Sequence, residues 1–114
     1  MSKWTIYHNP RCSKSRETLA LLEKNKIEPT IVEYLKKPLS STQLQNIAKM
    51  LALKPKEFLR KKEAIFKELK VDIDNDKAVI SAMAKHPTLI ERPIVVKGKK
   101  AVLGRPPENI KSLL

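Results

Sequence analysis

Trp4-Thr5-Ile6-Tyr7-His8-Asn9-Pro10-Arg11-Cys12-Ser13-Lys14-Ser15-Arg16 is the stretch on which the fold turns. Its first four residues read as a short buried strand. His8-Asn9-Pro10-Arg11 is a break. From about Cys12 to Lys24 the chain reads as a helix, with Leu19 and Leu22 on its inward face and Leu21 beside them. Ile31-Val32-Glu33-Tyr34 is a second strand candidate. Strand, helix and strand within about thirty residues make the βαβ unit of a parallel pair.

Downstream the pattern becomes helical. Ser40 and Gln43 match a capping box, Leu39 and Leu44 could staple it, and Leu44, Ile47, Ala48 and Leu51 follow at helical spacing. Lys54-Pro55 restarts the chain, and Phe58, Leu59, Phe66 and Leu69 predict further helix. Asp74 is the expected cap of another helix, with Val79, Ala82 and Met83 inward, ended by His86-Pro87. The last third changes character again. Pro93-Ile94-Val95-Val96 and Ala101-Val102-Leu103 read as strands joined by the turn Lys97-Gly98-Lys99-Lys100. Pro106-Pro107-Glu108 opens a short final helix with Ile110, Leu113 and Leu114 in step. The expected architecture is α/β, with the order βαβ, a helical insert, then ββα.

Composition bounds the function. A chain of 114 residues fits one domain and can bury a real core without disulfides or metal. No apolar run approaches the roughly 20 residues of a membrane span. Met1-Ser2-Lys3-Trp4 lacks the apolar core of a signal peptide, and one cysteine cannot form an internal disulfide, so the expected compartment is the reducing cytoplasm. The net charge of +12 is mostly lysine, spread along the chain in short clusters. With aromatic residues at only 4%, a solvated lysine surface fits this better than nucleic-acid binding.

Cys12 sits where the strand ends and the helix opens. The free N–H groups and dipole of a helix N-terminus favour negative charge, and the thiolate is the nucleophile. Arg11, Lys14 and Arg16 add positive charge around it, His8 can exchange a proton, and Ser13 and Ser15 can donate hydrogen bonds to sulfur. A Cys-x-x-Cys dithiol is excluded because position 15 is serine. A low-molecular-weight phosphatase loop is excluded because Thr18 stands where arginine would be needed. Zinc would need more ligands than Cys12, His8 and His86. What survives is a one-cysteine site resolved by an external thiol. The chain has only five arginines, and Arg11, Arg92 and Arg105 each adjoin a proline. Arginine's planar fork binds oxyanions bidentately, which lysine cannot do. Arg92 and Arg105 flank the hairpin and could converge on the helix that bears Cys12.

The run 8–16, then Glu91-Arg92-Pro93-Ile94-Val95-Val96, then Gly104-Arg105-Pro106-Pro107, resemble the signatures of glutaredoxin-linked arsenate reductases of the ArsC type, most closely their YfgD-like bacterial branch. The resemblance spans nearly the whole chain. It implies a single domain over 1–114 with a thioredoxin-like fold, a mixed sheet of four strands or fewer, and a helical insertion at about 40–90. It implies that Pro93 is the cis-proline beside the reactive cysteine. By position it puts the nucleophile on Cys12 and the oxyanion-binding arginines on Arg60, Arg92 and Arg105. His8 and Ser15 fall where the family helps hold the thiolate, and Arg11 supports it from the flank. The implied substrate is arsenate or a similar oxyanion, with glutathione as co-substrate, glutaredoxin as partner and no bound cofactor. Two relatives of this chemistry stay open: a single-cysteine oxidoreductase acting on glutathione mixed disulfides, and an Spx-like regulator that binds RNA polymerase.

Overall fold

The computed structural model describes residues 3–114. Met1 and Ser2, read above as part of the N-terminus, lie outside the described residues. The chain folds into two compact units: the residues up to Lys37 together with Arg92–Leu114, and Pro38–Glu91.

The first unit is built on a four-stranded sheet. Strand β1 is Trp4–Tyr7, helix α1 Ser13–Lys24, and β2 Thr30–Val32; β3 Ile94–Lys97 and β4 Lys100–Leu103 complete it. The order across the sheet is β2-β1-β3-β4. β1 and β2 are parallel, whereas β1–β3 and β3–β4 are antiparallel. This is the mixed sheet of a thioredoxin-like fold. Ile6 pairs with Ile31 on one side and Val95 on the other, which fixes the register through the centre. Ile6, Leu22, Val95, Ile110 and Leu113 form the core cluster, with Trp4, Leu19, Leu21, Ile27 and Val102 packed against it. Both α1 and the final 3₁₀ helix Pro107–Leu113 pack here.

Several boundaries differ from the sequence expectation. β2 ends at Val32, opposite the last residue of β1, and Glu33 and Tyr34 turn away. β3 starts at Ile94, and Lys97 extends it to pair with Lys100, leaving Gly98-Lys99 as the tight turn. Gly98 takes φ 60, the left-handed value such a turn requires and that only glycine adopts freely. The final helix is 3₁₀, so its buried positions recur every three residues, at Pro107, Ile110 and Leu113, and Leu114 faces solvent. The peptide bonds Arg92-Pro93 and Arg105-Pro106 are both cis.

The second unit is helical. α2 is Ser41–Leu51, α3 Ala64–Leu69 and α4 Asp76–Lys85, with 3₁₀ turns at Pro55–Phe58 and Pro87–Leu89. The capping box at Ser40 forms as read. Gln43 N–H donates to Ser40 Oγ at 3.1 Å, and Gln43 Oε1 accepts from Ser40 N–H at 2.9 Å. Leu39 and Leu44 are both buried. The cap of α4 is Asn75 rather than Asp74: Asn75 Oδ1 accepts from Ala78 N–H at 3.1 Å, while Asp74 pairs with Lys56 at 3.3 Å. Val79, Ala82 and Met83 are buried, and α4 packs on α2 and both 3₁₀ turns. The short α3 buries nothing fully, and Leu69 is exposed. Among the described residues no helix is long and apolar enough to cross a membrane.

Candidate active site

Cys12 is the N-cap of α1, with extended backbone at φ −94, ψ 124. Its N–H donates to Asn9 O at 3.0 Å, and its own carbonyl accepts the first helical bond from Arg16 N–H at 3.0 Å. The sulfur is therefore held at the end of a helix whose first-turn N–H groups have no acidic neighbour. Cys12 is a free cysteine and is part-exposed.

The loop before it is shaped by side chains. Asn9 Oδ1 accepts from Arg11 N–H at 3.0 Å, which makes the local Asx turn. Arg16 Nη1 donates to Pro10 O at 2.9 Å, so this arginine braces the loop as well as adding charge. Arg11 itself is exposed.

His8 and Ser15 are buried together. His8 Nδ1 lies 2.6 Å from Ser15 Oγ, and Ser15 Oγ also accepts from Asn9 N–H at 3.0 Å. The serine's oxygen thus accepts one hydrogen bond from the backbone and shares a second with the ring nitrogen. Burial pushes the His8 pKa below its ordinary value; Glu33 opposes the shift and Arg16 adds to it. The Ser15 hydroxyl is engaged with His8 and with the backbone of Asn9.

Arg92 and Arg105 bracket the open end of the β3–β4 hairpin. Gly104 N–H donates to Pro93 O at 2.8 Å, so the two arginines stand one residue beyond a bonded pair. Thr18, fully buried on α1, ties this end to the helix: its Oγ1 lies 3.1 Å from Gly104 O and 2.8 Å from Lys14 O. Gly104 has no room for a side chain, since a Cβ would sit 2.8 Å from Pro93 Cγ and from Thr18 Oγ1. The Arg92 Nε is shut off from solvent, while Arg105 is exposed. In the first unit the structure therefore joins Cys12, Asn9, His8 and Ser15 at the head of α1, and anchors the arginine-bearing hairpin one and a half turns further along the same helix.

Arg60 belongs to the second unit. Its N–H donates to Leu89 O at 2.7 Å and Glu91 N–H to Phe58 O at 2.8 Å, around the bridge between Leu59 and Ile90. The guanidinium pairs with Glu63 and, at 3.8 Å, with Glu91. Its charge is therefore partly balanced within its own unit.

Thr18 and Gly104 were not singled out from the sequence as site residues. The signal was present in the spacing: Ser15, Thr18 and Leu22 are the buried positions of α1, a face that runs polar to apolar toward the C-terminus. A reading anchored only on leucines misses its polar half.

The ArsC family model matches residues 7–113. A Haemophilus influenzae protein named arsenate reductase is 49% identical over 112 residues, covering 96% of this chain and 97% of its own. The Escherichia coli protein YfgD is 48% identical over 108 residues, 92% and 91% of the two chains. The solved structure of an arsenate reductase from Vibrio cholerae superposes with a TM-score of 0.91 at 44% identity, covering 99% of this chain and 98% of that one.

Proposed function

Since this chain belongs to the ArsC family, we propose that it reduces arsenate to arsenite through a covalent adduct on Cys12, with glutathione and glutaredoxin supplying the electrons. The observation that carries the reading is Cys12 at the N-cap of α1, in the same unit as a hairpin bearing Arg92 and Arg105. Relatives at 49% and 45% identity are named arsenate reductases.

The chemistry follows from the residues. Arg92 and Arg105 hold the oxyanion by their planar forks. The Cys12 sulfur attacks arsenic(V), one oxygen leaves as water, and a sulfur–arsenic bond forms. Glutathione replaces a second arsenic-bound oxygen, which also leaves as water. A glutaredoxin thiolate then attacks the glutathione sulfur. The sulfur–arsenic bond to glutathione breaks, its electron pair reduces arsenic to arsenic(III), and a glutaredoxin–glutathione disulfide departs. Water cleaves the remaining bond to Cys12, returning the thiol and arsenite. In sum, arsenic acid, glutathione and glutaredoxin thiol give arsenous acid, the mixed disulfide and one water. On this reading the guanidinium groups meet the charge on the bound oxyanion, and such electrostatic stabilisation is usually the largest catalytic term. This reaction belongs in the reducing cytoplasm, where glutathione is kept as the thiol.

The test is NADPH-coupled arsenate reduction with glutathione and glutaredoxin, run on the wild type and Cys12→Ser together. Turnover by the first and none by the second is the expected result. Reduction by Cys12→Ser would remove Cys12 as nucleophile. A wild type inactive on arsenate but able to reduce glutathione mixed disulfides would overturn the substrate.

A further inference from the structure

A cavity of about 240 Å³ opens beside the loop that ends at Cys12. His8, Asn9, Pro10 and Arg11 form one wall, and Glu33, Leu35 and Lys36 the other. Its volume is below the roughly 300–1,000 Å³ of pockets that enclose a whole drug-sized ligand. It suits one end of a small molecule.

Its lining is chemically specific. His8 is its buried polar group, 6% exposed, with Nδ1 engaged by Ser15. No other hydrogen bond of the ring occurs among the described residues, which leaves Nε2 for a ligand. Arg11 and Lys36 place two cations at the rim. Lys36 is held only by an exposed pair with Glu33 at 3.6 Å, which costs little to open. Pro10 and Leu35 supply an apolar wall, and Leu35 is an exposed leucine at 39%. A ring nitrogen, two cations against the single carboxylate of Glu33, and an apolar wall together favour an anionic group such as a carboxylate on a short chain. Arg11 directly precedes Cys12, so the cavity wall and the cysteine belong to one loop.

We propose that this cavity seats a carboxylate arm of the thiol co-substrate, so that its sulfur is delivered to the adduct on Cys12. The proposal rests on the thiol-dependent reading above and deepens it. It assigns His8 and Lys36 to recognition of the thiol, separate from the arginines that hold the oxyanion.

The experiment uses S-methylglutathione, which cannot react, titrated into the full chain and followed by nitrogen-15 NMR. Shifts are expected at the amides of residues 8, 9, 11 and 33–36, weakened about ten-fold in Lys36→Glu, the loss of about one charge-assisted contact. In the coupled assay the same variant raises the KM for glutathione about ten-fold more than the KM for 2-mercaptoethanol, which has no carboxylate. Absent shifts, shifts confined to other residues, or equal effects on the two thiols would each overturn the assignment. A wild type that reduces arsenate without such shifts loses the cavity and keeps the reaction. One that binds S-methylglutathione here without reducing arsenate keeps the cavity and loses the substrate.

Discussion

Thr18 Oγ1 reaches Gly104 O at 3.1 Å across 86 residues of sequence. This contact joins the helix that begins at Cys12 to the strand end that leads into Arg105. Gly104 in turn donates to Pro93 O at 2.8 Å, on the strand end that follows Arg92. One buried hydroxyl thus sets the place of both arginine-bearing ends relative to α1. The approach is close enough that only glycine fits at position 104. At 1.5 Å per residue, the six residues from Cys12 to Thr18 put this anchor about 9 Å along the helix from the cysteine.

Removing that hydroxyl, or filling that space, should disturb oxyanion binding before it disturbs the nucleophile. Thr18→Val keeps the shape and loses the donor, leaving Gly104 O buried without this bond at about 1–3 kcal/mol. Gly104→Ala drives a Cβ to 2.8 Å from the rigid Pro93 ring, and overpacking of this kind costs about 1–3 kcal/mol. Both should lower Tm and raise the KM for arsenate, with Thr18→Ser restoring the KM toward wild type. Equal arsenate KM in Thr18→Val and wild type would mean that the contact serves stability alone.

The arginines should separate by role. Removing one preset donor from a developing charge typically costs 100-fold or so in turnover, and Arg92→Ala and Arg105→Ala are each expected to lose about that much. Arg105 is exposed, so its variant should keep the wild-type Tm, whereas the part-buried Arg92 should lose stability too. Arg105→Lys should recover little, because an ammonium cannot form the bidentate contact. Arg60 shares its charge with Glu63 and Glu91, so Arg60→Ala should cost less than either. Steady-state kinetics with the coupled assay, beside thermal melts, reads all four. Near-wild-type turnover in both Arg92→Ala and Arg105→Ala would refute their assignment.

What was legible in the sequence was what is decided over short range. The strand Trp4–Tyr7, the helix behind Cys12 and the Ser40 capping box each depend on periodicity or on bonds within three or four residues. The errors have long-range or competing causes. β2 stops at Val32 because β1, its partner, stops at Tyr7. Asp74 and Asn75 are both good caps, and only the fold shows that Ala78 N–H meets Asn75. Leu114 falls in step at α-helical spacing, but the segment is 3₁₀. In the site, Cys12 announced itself by composition and position. Thr18 did not, because its face of the helix is defined by a glycine near the other end of the chain.

The capping box at Ser40 gives a prediction confined to the helical unit. Ser40→Ala removes the acceptor for Gln43 N–H while leaving Gln43 Oε1 on the Ser40 N–H. The loss is expected to be about 1 kcal/mol. Amide exchange at the start of α2 should accelerate, while exchange in β1 and β3 stays as in wild type. Unchanged exchange at residues 41–44 would show that α2 is held by packing alone.

His8 should make the stability of the chain depend on pH in the mildly acidic range. Its folded pKa is lowered from the ordinary 6.5, first by burial and further by Arg16, with Glu33 opposing. Above 6.5 the ring is neutral in both the folded and the unfolded chain, and stability is at its full value. As pH falls below 6.5 the unfolded chain takes up the proton first, so the unfolded state gains and the folded state is weakened. The loss continues until the pH passes the lowered folded value, where the two states again bind equal protons. Melts between pH 7.5 and about 5, above the range where ordinary carboxylates titrate, should show Tm falling for the wild type. In His8→Gln the same interval should be flatter, because the group that distinguishes the two states is gone. An equal slope in both proteins would locate the pH dependence elsewhere.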